Sequence, residues 1–340
     1  MQNSPIAFIG ELLLRLSAPD GLLLRQSQHL QMYVGGAEAN VAIALAQWGI
    51  ATTFISALPD NDLGELVLEH LRKYGVDTQY IIRHGQRLGL YFYEAGEGLR
   101  SGKVLYDRQH SAFAQALPKH YPANALQQAS WLHCTGITPV ISEQAAQTLL
   151  WATEQCCHRG IPISIDLNLR KSLWNPTMHL PIFEQLLSRV DVVVADLTAL
   201  AHMAAIEVDS RIFTDDPLVY RNAADQFFER YPNTRLIAFS IREVTSSRAF
   251  KMQYLICTPN DYFQSAVFQI ENAIERIGAG DAATAAIIYA LLQGFSYEKT
   301  ANLAAAASAM KHAIKGDQLL SSIAEITALA EGNIHFSIKR

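Results

Sequence analysis

Cysteine is scarce in this chain. Its 340 residues carry four, Cys134, Cys156, Cys157 and Cys257. None are spaced as C-x-x-C, and the vicinal pair is a poor start for two ordinary disulfides. A reduced, cytoplasmic protein is the expectation. Long apolar runs are missing too: the longest, such as 282–292, fall short of the about 20 residues that a bilayer requires, so no membrane span is expected. The opening Gln2-Asn3-Ser4-Pro5 lacks the basic region, long apolar stretch and cleavage site of a secretory signal, so export is not expected either. Charge of one sign is not in excess. With 27 Lys+Arg against 32 Asp+Glu and a formal net charge of −5, a general nucleic-acid or anionic-membrane surface is disfavoured, while local basic pockets for small anions remain open. The histidines and cysteines nowhere adopt metal-ligand spacing. No repeat, low-complexity tract or Pro/Gly/Ser-rich linker divides the sequence.

Apolar residues, by contrast, are plentiful. They make up 50% of the chain against 17% charged, which supplies a core and excludes disorder as the dominant state. One compact unit with insertions is expected over the whole length. The central and later parts alternate short β-branched runs with longer segments of helical period, the pattern of parallel strands flanked by helices. Strands are expected at 130–136, 161–168 and 191–195, with helices at 142–158 and 177–188. Leu63, Leu66, Val67, His70 and Leu71 follow helical spacing over 62–74, and Gly75 stands where a left-handed helix end is favoured. Around 10–35 and 88–110 the period changes to two. Residues 89–94 and 103–107 read as short strands around a Gly/Glu-rich turn at 95–102, together a small β lid set apart from the α/β body. Such a lid could cover a pocket at the carboxyl ends of the parallel strands, where open α/β folds bind ligands.

The most informative stretch is Ile277-Gly278-Ala279-Gly280-Asp281 before the alanine-rich run 282–292. At a predicted helix start several amides lack intrahelical partners and the dipole is positive, so a phosphoryl anion can be held there. Asp281 would stay ionised in that field and could accept a proton from a hydroxyl attacking a phosphoryl group. Taken alone, the same residues also read as a glycine-rich entry turn with an acidic first-turn residue.

Ordered blocks run along nearly the whole chain: Gly10-Glu11 through Arg15-Leu-Ser17, Val34-Gly35-Gly36-Ala-Glu-Ala-Asn40, Gly89-Leu-Tyr91, Val104-Leu-Tyr106-Asp-Arg108, Gly136-Ile-Thr-Pro139, and Asp166-Leu-Asn168-Leu-Arg170 with Trp174. Together with the GAGD loop they resemble the ribokinase-like (PfkB) carbohydrate kinases, and among these the 2-keto-3-deoxygluconate kinases. The resemblance implies a three-layer α/β/α sandwich with a mostly parallel sheet and a small β-sheet lid. It implies ATP-dependent phosphorylation of a sugar-acid hydroxyl with Mg²⁺, Asp281 as the base, and the Gly278-Ala279-Gly280 amides as the anion hole. By the same resemblance Gly35, Gly36, Asn40, Tyr91, Tyr106, Arg108, Arg170 and Asp317 meet the substrate. Asn168, Arg170, Ser240, Arg242, Gly278 and Gly280 would meet the nucleotide. Arg108 and Arg170 suit an anionic sugar, since a guanidinium fork matches a carboxylate bidentately. Lids of this family often pair between subunits, which implies a homodimer or higher oligomer.

The sequence departs from the family on the nucleotide side. Glu275 stands where an Asp is usual, and by the resemblance could serve Mg²⁺ through a water. Asp196-Leu-Thr-Ala-Leu200 replaces an Asn-x-x-Glu segment, and Ser240 to Ser247 replaces a glycine-containing loop. A kinase of a neutral sugar or nucleoside, such as fructose or ribose, and a sugar-acid sensor that has lost catalysis, stay open as alternatives.

Overall fold

The computed structural model describes residues 4–208 and 215–333. The amino-terminal part gives β1 (Ile6–Ile9), β2 (Leu13–Ser17), β3 (Gln31–Gly35), α1 (Ala37–Gln47), β4 (Thr52–Leu58), α2 (Asp62–Lys73) and β5 (Asp77–Arg83). Next come β6 (Gly89–Glu94), β7 (Lys103–Asp107), α3 (Ala112–Gln115), β8 (Trp131–Thr135), α4 (Glu143–Cys157), β9 (Ile163–Asp166) and α5 (Pro176–Leu187). The remainder forms β10 (Val192–Ala195), α6 (Leu197–Met203), α7 (Pro217–Arg230), β11 (Leu236–Val244), β12 (Phe250–Cys257), β13 (Tyr262–Gln264) and β14 (Phe268–Ile270). Helices α8 (Ala279–Leu292), α9 (Tyr297–Lys311) and α10 (Ile323–Ala330) complete it.

The main sheet runs β13-β12-β11-β10-β9-β8-β1-β4-β5, with β14 beside β12. From β11 to β5 every neighbouring pair is parallel, and β12 turns the edge antiparallel. Strands of a sheet covered on both faces bury successive residues in opposite directions. In β1, Ile6 and Phe8 enter a core roofed by α1, α2, α8, α9 and α10, whereas Ala7 and Ile9 enter one roofed by α3 to α7. This is the expected three-layer sandwich. Sequence boundaries hold to within one or two residues for the strands and helices between 130 and 195, because Ser142 and Asn175 cap α4 and α5 with side-chain acceptors. Gly75 takes φ +82° beyond α2 as expected, while Leu63 at the head of that helix faces solvent.

The lid is a separate four-stranded sheet ordered β3-β2-β6-β7. The hairpin expected at 89–107 is thus not alone, since β6 lies parallel to β2 and the 10–35 segment supplies two of the strands. Register sorts the lid into two faces. Tyr33, Arg15, Tyr91 and Tyr106 form one cross-strand row, and Met32, Leu16, Phe92 and Leu105 form the row beside it on the opposite face. A second difference concerns 240–247. Instead of a loop, β11 continues to Val244 and turns back at 245–249 into β12, because each residue from Ile237 to Val244 finds an antiparallel partner, the last being Phe250.

Candidate active site

Four chain segments meet at the carboxyl ends of the parallel strands: the β1–β2 connection, the start of α1, the end of β9 and the start of α8. Beneath the lid they enclose a cavity of 620 Å³. Its floor is the α8 entry turn. Gly278 caps that helix at φ +82°, and a Cβ there would lie 1.9 Å from the Asp317 carbonyl oxygen, so both backbone shape and space demand glycine. Gly278 and Gly280 line the cavity; Ala279 is buried beneath them. Lys311, wholly buried, packs under this turn. Its Nζ donates to the Ile314 carbonyl at 2.9 Å, and burial pushes its pKa down to about 8.

Asp281 sits in the first turn of α8, and its Oδ2 accepts 2.6 Å from Asn40 Nδ2. The expectation is that it stays ionised. Burial pushes its pKa up to about 7, although the Asn40 bond and the Arg170 charge pull the other way. Desolvation outweighs the helix field because the carboxyl is only 8% exposed. Asn40 is engaged at both ends, its Oδ1 accepting from Gln318 Nε2 at 3.1 Å, so its visible role is to hold Asp281 at the rim of the cavity.

At the end of β9, Asp166 Oδ1 accepts from the Asn168 amide at 3.0 Å, and Asn168 is bent to φ +43°. Burial, then the nearby Asp281, pushes the Asp166 pKa up to about 8. Asn168 and Arg170 both line the cavity, and Arg170 makes no ion pair among the described residues. Arg108 lines the cavity as well. Its Nε donates 2.6 Å to Glu11 Oε2, so this charge is already matched, and Arg170 is the freer of the pair. Tyr106 and Tyr91 lie with ring centroids 6.2 Å apart on the lid face that looks into the cavity.

Tyr91, Asp317, Arg15 and Glu275 form a buried seam between lid and body. The Tyr91 hydroxyl donates to Asp317 Oδ2 at 3.0 Å, Arg15 Nη1 donates to Glu275 Oε2 at 2.8 Å, and Arg15 Nε lies 3.1 Å from Asp317 Oδ1. Gly35 packs here too, since a Cβ on it would stand 2.9 Å from Asp317 Oδ2. Gly36, at φ +146°, caps α1 on the cavity wall. Glu275, expected to serve a metal through a water, is engaged by protein groups on both oxygens. Its Oε2 meets Arg15 and its Oε1 accepts the Arg276 and Ile277 amides at 3.1 and 3.3 Å, which makes it a wall of the turn outside the lining of the main cavity.

Ser240 lines a neighbouring cavity of 420 Å³ with Asp196, Thr198 and Tyr220, and Arg242 lines both cavities. Asp196 Oδ1 accepts from the Ala199 amide at 2.7 Å and so caps α6. Among the described residues no three His, Cys, Asp or Glu side chains gather as a metal cluster. Sequence reasoning passed over the roles of Glu11, Arg15, Asp166 and Arg276. Glu11 and Arg15 carried a signal, being charges in a period-two segment otherwise filled by leucine. Asp166 and Arg276 gave none, as their meaning lies in neighbours distant in sequence.

A family model described as pfkB family carbohydrate kinase matches residues 4–323. The chain is 29% identical over 331 residues to a 2-dehydro-3-deoxygalactonokinase of Haloferax volcanii, covering 97% of this chain and 98% of that one. It is 26% identical over 314 residues to a 2-dehydro-3-deoxygluconokinase of Thermoproteus tenax, covering 91% and 88%. The solved 2-dehydro-3-deoxygluconokinase of Thermotoga maritima superposes with a TM-score of 0.92 at 36% identity, over 96% of this chain and 99% of that one. At 19% identity, a ribokinase II of E. coli solved with ATP and Mg²⁺ shares the fold, with a TM-score of 0.81 over 97% and 99%.

Proposed function

The chain belongs to the pfkB family of carbohydrate kinases, and from that premise we propose that it transfers the terminal phosphoryl group of ATP to the 6-OH, or terminal hydroxyl, of 2-keto-3-deoxygluconate or a closely similar sugar acid. The observation that carries the reading is the shared cavity itself. A carboxyl with a pKa of about 7, the α8 anion turn and Arg170, which makes no ion pair among the described residues, all open into it. Relatives acting on 2-dehydro-3-deoxy and 5-dehydro-2-deoxy sugar acids support the substrate class.

In this reading the lid tyrosines close over the sugar and Arg170 binds its carboxylate. Ionised Asp281, held by Asn40, takes the proton of the attacking hydroxyl. The new bond joins that oxygen to the γ-phosphorus, the bond from the γ-phosphorus to the β–γ bridging oxygen breaks, and ADP leaves with those electrons. The Gly278–Gly280 amides hold the charge on the transferred group before and during the step, so no reorganisation is needed. Mg²⁺, when bound, neutralises nucleotide phosphate oxygens. Asp166 fits that ion better than Glu275, because it shares the cavity with Asp281 and burial raises both carboxyls despite the Arg170 charge, whereas Glu275 is already bound by Arg15. A hard ion that keeps most of its waters needs only one or two such carboxylates.

Two statements about the assembly belong to the same proposal. The chain acts as one kinase unit with the lid inserted, and it forms a homodimer through the outer face of the lid. Met32 at 48% and Leu105 at 55% exposure end an apolar row across four strands on that face. No helix among the described residues is long and apolar enough to cross a membrane, and the four cysteines are free, which supports a reducing cytoplasm. Coupled assays of kcat/KM across 2-keto-3-deoxygluconate, 2-keto-3-deoxygalactonate, 5-keto-2-deoxygluconate, fructose and ribose test the substrate class. A keto-deoxy acid is expected to lead. A neutral sugar in first place refutes the role of Arg170, and no turnover with any of them restores the sensor alternative, which the intact anion turn and base disfavour.

A further inference from the structure

Three guanidinium groups enter the main cavity without a carboxylate partner among the described residues: Arg170, Arg242 and Arg276. Two of them are held together. The Cζ atoms of Arg242 and Arg276 lie 5.2 and 5.3 Å from the centroid of the same ring, that of Phe250. Phe250 is itself buried, with His312 against it at 4.6 Å between ring centroids. The acidic residues nearby are committed elsewhere. Glu275 is bound by Arg15, and Glu243 faces Lys251 at 3.1 Å. His312 adds no negative charge and stays neutral, since burial and then Arg242 push its pKa down to about 3.

Two half-buried cations on one ring are unfavourable unless something compensates them. Burial, and then Arg242, lower the proton affinity of Arg276, which is the direction that uncompensated repulsion gives. Stacking on an aromatic face offsets part of that cost. The rest calls for an anion. A single carboxylate neutralises one guanidinium, whereas a chain of phosphoryl groups presents several oxygens to both. The pair also sits in the lining that holds Ile277, Gly278 and Gly280, next to where the terminal phosphoryl is held.

We propose that Arg242 and Arg276 form a two-guanidinium clamp for the polyphosphate chain of the phosphoryl donor, standing where a glycine-containing loop would otherwise approach it. The proposal rests on the kinase reading above and adds Arg276, a residue of the turn itself, to the donor site. The clamp accounts for the absence of a glycine loop after β11. Backbone amides are not needed where two fixed side-chain forks supply the donors.

Inorganic tripolyphosphate, titrated calorimetrically into the full chain, tests the clamp directly. Binding is expected to weaken about tenfold or more in Arg276→Gln and in Arg242→Gln, with Arg276→Lys between wild type and Gln, the scale of a lost charge-assisted contact. Binding by the Gln variants is expected to depend less on salt. The melting temperature of the unliganded Gln variants is expected to hold or rise, because a like-charge contact is relieved. A purely structural role for the stack requires it to fall. Under kinase assay, KM for ATP is expected to rise while KM for the sugar acid stays put. Tripolyphosphate affinity within twofold of wild type in Arg276→Gln overturns the clamp, as does a rise confined to the sugar-acid KM. If no sugar acid is phosphorylated at all, the functional proposal fails while the titration still reads the clamp. Conversely, a failed clamp leaves sugar-acid phosphorylation intact.

Discussion

Asp281 illustrates how one side chain acquires its chemistry from its setting. A carboxyl in water is ionised down to about pH 4, too weak a base for a sugar hydroxyl, whereas this one is raised to about 7 by burial and restrained there by Asn40 and Arg170. The sign of its pH dependence follows. Below about pH 7 the carboxyl is protonated and cannot accept a proton, so kcat is expected to fall as pH drops through that value and to level off above it. Asp281→Asn is expected to lower kcat by about 10²–10⁴ with little change in sugar-acid affinity, and to abolish that acid limb. A pH–rate profile of wild type with calorimetry on the variant checks both. Wild-type-like turnover in Asp281→Asn would refute the base. The helix start at Gly278 was legible in the sequence, but the height of this pKa was not, because the α1 helix that packs on α8 and sets Asn40 against the carboxyl lies far away in the chain.

At the scale of elements, the lid is bound to the body by apolar contact, with Leu14 and Val34 in the main core, and by a buried seam of charge. Arg15 of β2 is fully buried between Glu275 and Asp317, with the Tyr33 ring 4.3 Å from its guanidinium carbon. A buried pair is weak evidence for net stability, but removing one partner leaves uncompensated charge. Arg15→Ala is therefore expected to cost roughly 3–5 kcal/mol in urea unfolding. The damage should centre on the turn at Gly278, since Glu275 also holds the amides of Arg276 and Ile277. A loss under about 1 kcal/mol would show that water or the two carboxyls, by taking up protons, replace the arginine without difficulty. The strands β6 and β7 were readable from their period of two. The parallel pairing of β6 with β2 was not, because local pattern fixes which way a strand's side chains point and says nothing of which neighbour it finds.

For the whole molecule the outer face of the lid makes the prediction. The row Met32, Leu16, Phe92 and Leu105 is apolar yet open at both ends. Its exposed ends, Met32 and Leu105, are the apolar surface that the proposed dimer would cover. Light scattering after size exclusion is expected to give a dimer at micromolar concentration, and Met32→Asp with Leu105→Asp to give a folded monomer. A monomeric wild type removes the dimer from the proposal.

The sequence by itself determined the sandwich and its order of elements, through buried β-branched runs such as 191–195, capped helices such as that after Ser142, and the glycine turn at 278–280. These are local signals, in which propensity, capping and backbone shape act within a few residues. It also named most of the cavity lining, including Asn40, Arg170 and Asp281. Only the tertiary structure decided what those side chains do. It matched Arg108 with Glu11, set Asn40 on Asp281, drew Glu275 away from the cavity to Arg15, and set Arg242 beside Arg276 on one phenylalanine. Those outcomes depend on electrostatics among residues up to 260 positions apart in the chain, where the sign and burial of each neighbour, not the spacing of letters, fix the result.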